Sequence, residues 1–254
     1  MCTVSVVRPF VSASRMPTGP ALFRVVVNRD EQRVRPDALP PVVEAGMRPR
    51  VVMPIDPQGA GTWVAATDAG LVFVLLNGMG PARLSAAGAA PSRGLIIPAL
   101  LPSLSIDEAL ERLLALDLGG YRAWRLLVVS ASRLLQVEAN EHGRARHMRS
   151  FLPARFVATS SSIDGARAIQ LRTRLFHELV RQPDPAAQDA FHDHQWPEVP
   201  GLSVRMDRPE ARTVSRTTIE VFEDSVQLVY HPLASSARPS RVWLDRDDLR
   251  RGVA

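Results

Sequence analysis

Short runs of apolar and β-branched residues dominate both ends of the chain and predict β-strands there. The first run is Cys2–Val7, and a second at 23–27 leads into the polar tetrapeptide Asn-Arg-Asp-Glu at 28–31. Two further runs, at 62–67 and 71–76, flank an Asp-Ala-Gly turn and predict a β-hairpin. Four later runs complete the predicted strands, at 124–130, 133–137, 213–222 and 225–230.

Helical periodicity replaces this pattern in the middle of the chain. The stretch 105–118 begins with a capping box formed by Ser105 and Glu108, and its apolar positions recur at helical spacing. A second helix is predicted over 166–182. The stretches 8–21, 36–57 and 78–104 are rich in proline or small residues and are interpreted as loops and connections. Strands, then helices, then strands again favour an α+β fold with largely antiparallel sheets.

The 254 residues are 46% hydrophobic, which is enough for one sizeable core. We find no strong compositional break, so we predict a single domain over 1–233 and a polar, peripheral C-terminal tail over 234–254. Arginines and prolines interrupt the first twenty residues, and no apolar run approaches the roughly 18 residues of a membrane span. We therefore expect no membrane span and a cytoplasmic protein.

Charge and cysteine content exclude several function classes. The net charge is +5, and all 31 basic residues are arginine, so lysine-dependent sites such as a Walker lysine or a Schiff base are excluded. Acidic residues interrupt the arginine-rich stretches, which argues against a nucleic-acid partner. The single cysteine excludes an intramolecular disulfide and cysteine-rich zinc sites.

That cysteine, Cys2, directly follows Met1, and removal of the initiator methionine would place a thiol and a free amine on one residue. The amine has an ordinary pKa of about 7.7–8.0, so it can act as general base toward its own side chain. Taken alone, a cysteine at this position is more often a chance occurrence. Likewise, Asn-Arg-Asp-Glu taken alone is more often a solvated turn.

Their combination resembles the NRDE family, also called the transport and Golgi organisation 2 family. The resemblance is carried by Met-Cys-Thr at the start, the Asn-Arg-Asp-Glu strand end, the segment Gly-Ala-Gly-Thr-Trp at 59–63 and the strand end Leu-Leu-Asn at 75–77. It continues into the serine-rich stretch 159–164 and the Arg-Thr-Thr strand at 216–218. The resemblance implies an N-terminal-nucleophile (Ntn) hydrolase-like, four-layer αββα sandwich, distantly similar to choloylglycine hydrolase and penicillin V acylase.

The same resemblance implies a role for six residues. Cys2 would be the nucleophile, Asp30 would hold its amine, and Arg29 would lower the pKa of its thiol. An oxyanion hole is implied at Asn77 and at Ser161, which stands where the family has an asparagine. A late arginine near the pocket matches Arg216, with Arg212 as the less favoured register.

Two functions follow as hypotheses. The first is hydrolysis of a small-molecule amide by Cys2. The second is a non-catalytic protein of the same fold that binds or transports a lipid, acyl or haem-type ligand, which the serine at position 161 favours because lost oxyanion donors cost about 2.7–4 kcal/mol in the transition state. A homo-oligomer is compatible with either function.

Other motifs carry less. His177-Glu178 lacks the second histidine of a zinc protease motif, and His192-Asp193-His194 lacks a third convergent ligand and is interpreted as a solvated loop. The family's Trp-Pro-Lys run is replaced by Gln-Leu-Arg-Thr at 170–173. We predict neither a metal nor a cofactor.

Overall fold

A computed structural model describes residues 2–8, 19–44, 46–78, 90–140, 142 and 144–246. These residues form the strands β1 Cys2–Val7, β2 Phe23–Gln32, β3 Leu39–Glu44, β4 Val51–Ile55, β5 Val64–Thr67, β6 Val72–Asn77, β7 Trp124–Val129, β8 Leu134–Ala139, β9 Ala145–Phe151, β10 Arg155–Thr159, β11 Ala211–Val221, β12 Ser225–Pro232 and β13 Ser240–Asp245. The α-helices are α1 Ile96–Leu100, α2 Ile106–Ala115, α3 Gly165–Leu179 and α4 Pro185–Asp193, with short 3-10 helices at Arg93–Leu95 and Pro200–Leu202.

The strands form two antiparallel sheets. The first sheet has the order β10-β1-β2-β11-β12-β13, and the second contains β3 to β9 in chain order. The next strand, β10, returns to the first sheet and pairs with β1. β1 thus lies in the interior of the first sheet, between β10 and β2. The α+β prediction with two largely antiparallel sheets is confirmed by this topology.

The alternation of side chains along the strands explains the layering. Val4 and Val6 of β1 join a core cluster between the two sheets, together with residues of β6 such as Val72 and Val74. Val7 instead joins a cluster with Phe176 of α3 and Phe191 of α4 on the outer face of the first sheet. Helices α1 and α2 cover the outer face of the second sheet. The result is four layers, helix–sheet–sheet–helix.

The helix predicted over 105–118 is present as α2 and begins as its capping box indicates. The Ser105 side chain accepts a hydrogen bond from the Glu108 backbone N–H at 3.1 Å, and the Glu108 carboxylate accepts one from the Leu104 N–H at 3.0 Å. Satisfying these otherwise unpaired donors fixes the start of the helix. The predicted hairpin is also present, as β5 and β6.

The proline-rich stretch 36–57 contains two strands that its composition conceals. β3 carries Pro40 and Pro41, which lack the N–H that an interior strand needs, and it lies at the edge of the second sheet, where proline is tolerated. β4 then lies between β3 and β5. Of the predicted connection over 78–104, residues 79–89 lie outside the described residues.

The predicted peripheral tail is corrected. Within it, β13 pairs with β12 along its whole length and extends the first sheet. Leu244 is buried in the inter-sheet cluster and Val242 packs against it. The prediction failed because the stretch 240–245 has only three apolar residues in a row, between polar ones, and so short a run does not indicate a strand by itself. Residues 247–254 lie outside the described residues.

No helix among the described residues is long and apolar enough to cross a membrane.

A candidate active site around Cys2

Cys2 is the first residue of β1 and lies between two neighbouring chain segments. On one side, Cys2 lies opposite Arg29 of β2. On the other side, Thr3 pairs with Thr159 at the end of β10, so Cys2 lies opposite the next residue, Ser160. The Cys2 N–H donates to the Ser160 hydroxyl at 3.2 Å, and the Ser160 N–H donates to the Cys2 carbonyl at 3.0 Å. The Cys2 side chain is buried in the cluster between the sheets. The start of the chain is therefore held inside the fold.

The Asn-Arg-Asp-Glu tetrapeptide continues β2, and alternation divides it between the two faces of the sheet. Arg29 and Glu31 share the inter-sheet face with Cys2. Asn28 and Asp30 face the helices, as their contacts with α4 and α3 demonstrate. The motif is thus a buried strand and not the solvated turn that its composition also allowed.

Arg29 belongs to a network of four charges at the edge of the inter-sheet layer. Its Nη2 lies 3.1 Å from Asp56 Oδ2 and 3.6 Å from Glu31 Oε2. Arg35 contacts the same two carboxylates, at 2.5 Å and 3.5 Å. Burial alone would raise the pKa of Asp56, but the two guanidinium groups hold it below its ordinary value. Arg29 also lies over the Trp63 ring, 4.2 Å from its centroid, so its position is fixed on three sides.

Asp30 is fixed on the opposite face. Its Oδ1 accepts a hydrogen bond from the Thr213 hydroxyl at 2.6 Å, and Nη1 of Arg172 lies 3.9 Å from its Oδ2. Burial raises the pKa of Asp30, and the charge of Arg172 opposes that rise. Because Cys2 pairs with Arg29 in an antiparallel register, Asp30 lies beside the position that precedes Cys2. A carboxylate is thus anchored where the backbone nitrogen of Cys2 begins the strand.

The electrostatic environment of Cys2 disfavours the thiolate form. Burial raises the pKa of Cys2 above its ordinary value, Asp30 adds to the rise, and Arg29 lowers it. A thiol is much less nucleophilic than a thiolate, so Cys2 needs a nearby base to take its proton.

The two predicted oxyanion donors, Asn77 and Ser161, lie in different positions relative to Cys2. Asn77 ends β6 opposite Trp124, and strict alternation groups it with Phe73 and Leu75, which face α1 and α2. Ser161 adjoins Ser160, but its hydroxyl donates to the Ile163 carbonyl at 2.7 Å and accepts from Arg208 at 3.0 Å. It is Ser160, which the sequence did not single out, that contacts Cys2 directly.

Arg216 lies on the far face of the sheet from Cys2. It pairs with Asn28, and its Nη1 lies 2.6 Å from Asp193 Oδ2 of α4. Arg212 pairs with Glu31 on the Cys2 face, beyond a β-bulge between Thr213 and Ser215. The bulge shifts the alternation of β11, so Arg212 and Arg216 face opposite sides of the sheet although they are four residues apart. Of the two arginines, Arg212 is the one that faces the inter-sheet layer.

Sequence reasoning missed Arg172, Ser160 and Asp56. Arg172 is 1% exposed and donates to the Thr3 and Thr159 hydroxyls at 2.9 Å and 2.8 Å, besides lying near Asp30. The feature that could have indicated Arg172 is its position on the inner face of a predicted helix, in the stretch where the family has a lysine. Ser160 carried no signal, because the strand β10 that sets its register was not predicted.

One glycine is required for the packing near the site. A Cβ on Gly61 would lie 2.4 Å from the backbone carbonyl carbon and oxygen of Gly94, so no larger residue fits there. The close approach lets the Thr62 N–H donate to the Gly94 carbonyl at 3.0 Å. It places the 3-10 helix Arg93–Leu95 directly beside Trp63 and the Arg29 network.

His192 is not in a solvated loop as predicted. It lies in the last turn of α4, is 1% exposed, and lies 2.7 Å from the Ser5 hydroxyl and 3.1 Å from Asn28 Oδ1. The apolar spacing of α4 was hidden by its polar residues. No group of three or more potential metal ligands occurs in the part of the chain that the structure describes.

The sequence model of the family described as Transport and Golgi organisation 2 matches residues 20–217. The chain belongs to this family. The matched range contains Arg29, Asp30 and Asn77, along with the serine-rich segment, while Cys2 precedes it. None of the curated proteins compared with the chain matches it significantly in sequence.

Solved structures give the fold of this family member. The Caenorhabditis elegans ortholog of N-acylethanolamine-hydrolyzing acid amidase matches with a TM-score of 0.55 and 12% identity, covering 86% of this chain and 92% of that one. The C2A mutant of the conjugated bile acid hydrolase from Clostridium perfringens matches with a TM-score of 0.47 and 11% identity, covering 98% of this chain and 93% of that one. The chain therefore has the Ntn-hydrolase fold, and that prediction is confirmed.

Proposed function

We propose that this protein is an amide hydrolase whose nucleophile is the thiol of Cys2, after removal of Met1 has freed the Cys2 amine. The observation that carries the proposal is the position of Cys2, which begins an interior strand with its thiol between the sheets beside Arg29. Its backbone nitrogen contacts Ser160 at 3.2 Å and adjoins the position of Asp30. A free amine at this point would share one enclosed space with the thiol.

The reaction begins with proton transfer from the thiol to the amine. The sulfur attacks the carbonyl carbon of the amide, a C–S bond forms, and the carbonyl oxygen becomes an oxyanion. The oxyanion collapses, the C–N bond breaks, and the ammonium proton passes to the leaving nitrogen. Water then attacks the thioester, giving its proton to the amine. The C–S bond breaks, and the sulfur regains that proton as a carboxylic acid leaves.

Each charged neighbour of Cys2 has a role in this scheme. Asp30, fixed by Thr213 and Arg172, orients the amine and favours its protonated form once it has accepted the thiol proton. Arg29 lowers the pKa of the thiol, opposing the effect of burial. Ser160 accepts a hydrogen bond from the Cys2 backbone nitrogen, and it would hold that nitrogen in place once it is a free amine.

The oxyanion hole is assigned to Asn77 and Ser161 by their positions in the family pattern, and the Asn77 side chain must turn from the α1–α2 side toward the inter-sheet layer to reach an oxyanion. In the state described here the Ser161 hydroxyl donates to the Ile163 carbonyl, so it must rotate to reach an oxyanion. Arg212 replaces Arg216 as the arginine proposed to line the pocket, because it faces the inter-sheet layer opposite Glu31.

A second function, ligand binding without turnover, is favoured by one observation. The Ser161 hydroxyl is already engaged by Ile163 and Arg208, so the second oxyanion donor is occupied. In that case an acyl, lipid or haem-type ligand would bind beside Cys2 with no chemical step.

Turnover of a panel of fatty acyl amides, beginning with N-acylethanolamines, separates the two functions. The protein is expected to release the free fatty acid, and Cys2→Ala is expected to lose this activity while still binding the amide. Equal turnover by the protein and by Cys2→Ala would refute the proposed nucleophile. Tight binding with no turnover of any amide by the Met1-free protein would instead support the non-catalytic function.

A further inference from the structure

Charge is balanced in one part of the Cys2 surroundings and unbalanced in another. Arg29 and Arg35 each contact both Asp56 and Glu31, so two cations and two anions form a closed network. This set has no net charge, so its two carboxylates are already shared between two cations. A further arginine at this edge of the fold meets carboxylates whose charge is already balanced.

Arg93 and Arg122 are two such arginines. Nη1 of Arg93 donates to the Ala123 carbonyl at 2.9 Å, which brings its guanidinium beside the residue that follows Arg122. The Gly78 N–H donates to the same carbonyl at 2.9 Å, so the pair lies at the end of β6 where Asn77 is found. Neither arginine forms an ion pair with a carboxylate in any of the ranges that the structure describes.

The pair is also connected to Cys2. The 3-10 helix that carries Arg93 is hydrogen-bonded through Gly94 to Thr62, and the next residue, Trp63, lies under Arg29. Burial and the charge of Arg122 lower the pKa of Arg93, and the charges of Cys2 and Glu31 oppose that change. Arg93 is therefore within electrostatic range of both the candidate nucleophile and the second arginine.

We propose that Arg93 and Arg122 form an anion-binding subsite next to Cys2, which holds a carboxylate or phosphate group of the bound amide. The like charges of Arg93 and Arg122 repel each other, and an oxyanion bound between them would remove that repulsion. Guanidinium also matches the planar oxygens of carboxylate and phosphate with paired hydrogen bonds. The preferred ligand is then an acidic amide, a refinement that rests on the proposed function.

Binding to Cys2→Ala tests the subsite without requiring turnover. The probes are three ligands with one common acyl chain, namely an N-acylglycine, an N-acylethanolamine and the O-phosphate of that ethanolamide. We expect at least one acidic ligand to bind about ten-fold more tightly than the neutral one, with the advantage shrinking as salt is added. A preference for the glycine or for the phosphate identifies which oxyanion the subsite takes.

Arginine variants in the same Cys2→Ala background locate the effect. Arg93→Gln and, separately, Arg122→Gln should remove most of the acidic advantage and leave binding of the neutral amide unchanged. Arg241→Gln, which removes an exposed arginine from β13, is the matched control and should keep it. Arg122 is exposed, so its replacement tests the subsite even if Arg93→Gln fails to fold.

The two proposals fail in different ways. Equal affinity for acidic and neutral ligands, or an acidic advantage that survives both arginine replacements, would overturn the subsite. Hydrolysis of amides with no such preference would then still support the amidase. Conversely, selective binding of acidic amides through Arg93 and Arg122 with no hydrolysis by the Met1-free protein would support the subsite and refute the amidase.

Discussion

The two faces of the sheet around β1 and β2 differ in how completely their polar groups are satisfied. On the helix face, Ser5, Asn28 and Gln188 are fully buried and hydrogen-bonded to one another or to His192. On the inter-sheet face, Cys2 is a buried thiol whose proton we propose is taken by its own amine once Met1 is removed. The hydrogen bonds on the helix face stabilise the packing of the helices on the sheet, whereas the inter-sheet face holds the residue that we propose as the nucleophile.

The helix face also contains a group of residues that resembles a catalytic triad but has a structural role. Ser5, His192 and Asn28 are hydrogen-bonded in series, as the members of a serine triad would be. However, Gln188 donates to the Ser5 hydroxyl at 2.8 Å, and Ser5 and Asn28 are 0% exposed, so a substrate has no access to them. These bonds fit a neutral imidazole that accepts from Ser5 and donates to Asn28. The group stabilises the packing of α4 on the sheet.

The same contrast divides the Asn-Arg-Asp-Glu motif. Asn28 binds the backbone of α4, donating to the His192 carbonyl at 2.8 Å, whereas Arg29 lies beside the candidate nucleophile. Asp30 faces the helices but adjoins the start of β1. One strand thus supplies both the framework and the charges of the site, and variants on its two faces should have different effects.

The largest expected effect concerns the amine. Inserting a glutamate between Met1 and Cys2 should keep the initiator methionine in place, so the thiol remains but its own amine is lost. We expect amide hydrolysis to fall by about 10²–10⁴-fold, the usual contribution of a general base. Turnover measurements with intact-mass analysis of the terminus test this. Undiminished activity would mean that another group is the base.

The next largest expected effect is a loss of stability when the buried Arg172 is replaced. Arg172→Met leaves Asp30 buried without its nearest cation, so we expect the free energy of unfolding to fall by about 3–5 kcal/mol. Urea denaturation measures the change. Arg174→Met, on the exposed side of the same helix, is the control and should change stability little. Similar midpoints for both variants would contradict the structural role of Arg172.

Neighbouring residues on opposite faces provide a sharper comparison. Arg29→Gln should reduce hydrolysis at neutral pH by about 10–100-fold, because the thiol pKa rises when this cation is removed. The pH profile of kcat/KM should move to higher pH. Asn28→Ala should instead lower stability by about 1–3 kcal/mol through lost buried hydrogen bonds, with activity of the folded protein retained. The reverse pattern would contradict the division of the motif.

The smallest effect is a pH dependence of stability. Burial, with smaller contributions from Arg216 and Arg24, holds the pKa of His192 well below its ordinary value. The unfolded chain therefore binds a proton at this position that the folded one does not, and stability should decrease as pH falls below about 6.5, by up to about 1.4 kcal/mol per pH unit. Urea titrations from pH 7 to pH 5 should give a flatter profile for His192→Gln. Parallel profiles would exclude this histidine as the cause.

The sequence predicted the strands that carry a continuous apolar run and the helix α2, whose capping box is local. It did not predict β3, β9 or β10, because strands at or near sheet edges can be polar, exposed or proline-containing. Missing β10 also concealed Ser160, whose position depends on pairing with β1.

Site residues followed the same rule. Arg29 lies opposite Cys2, and Asp30 adjoins the start of β1, because both continue a strand with a regular register. Arg216 pairs with Asn28 and shares its helix face, and the bulge in β11 places Arg212 on the opposite face, which regular alternation does not predict. Arg172 contacts Asp30 from a helix more than a hundred residues away along the chain, and no local pattern reveals such a pairing.

The mass of the intact protein, before and after reaction with an activated acyl ester, tests the central claim most directly. The account predicts a terminus without methionine and one acyl group attached to Cys2, which is then released by water as the mass returns to its starting value. A protein that keeps Met1, or one that acquires its acyl group at any other residue, would contradict it.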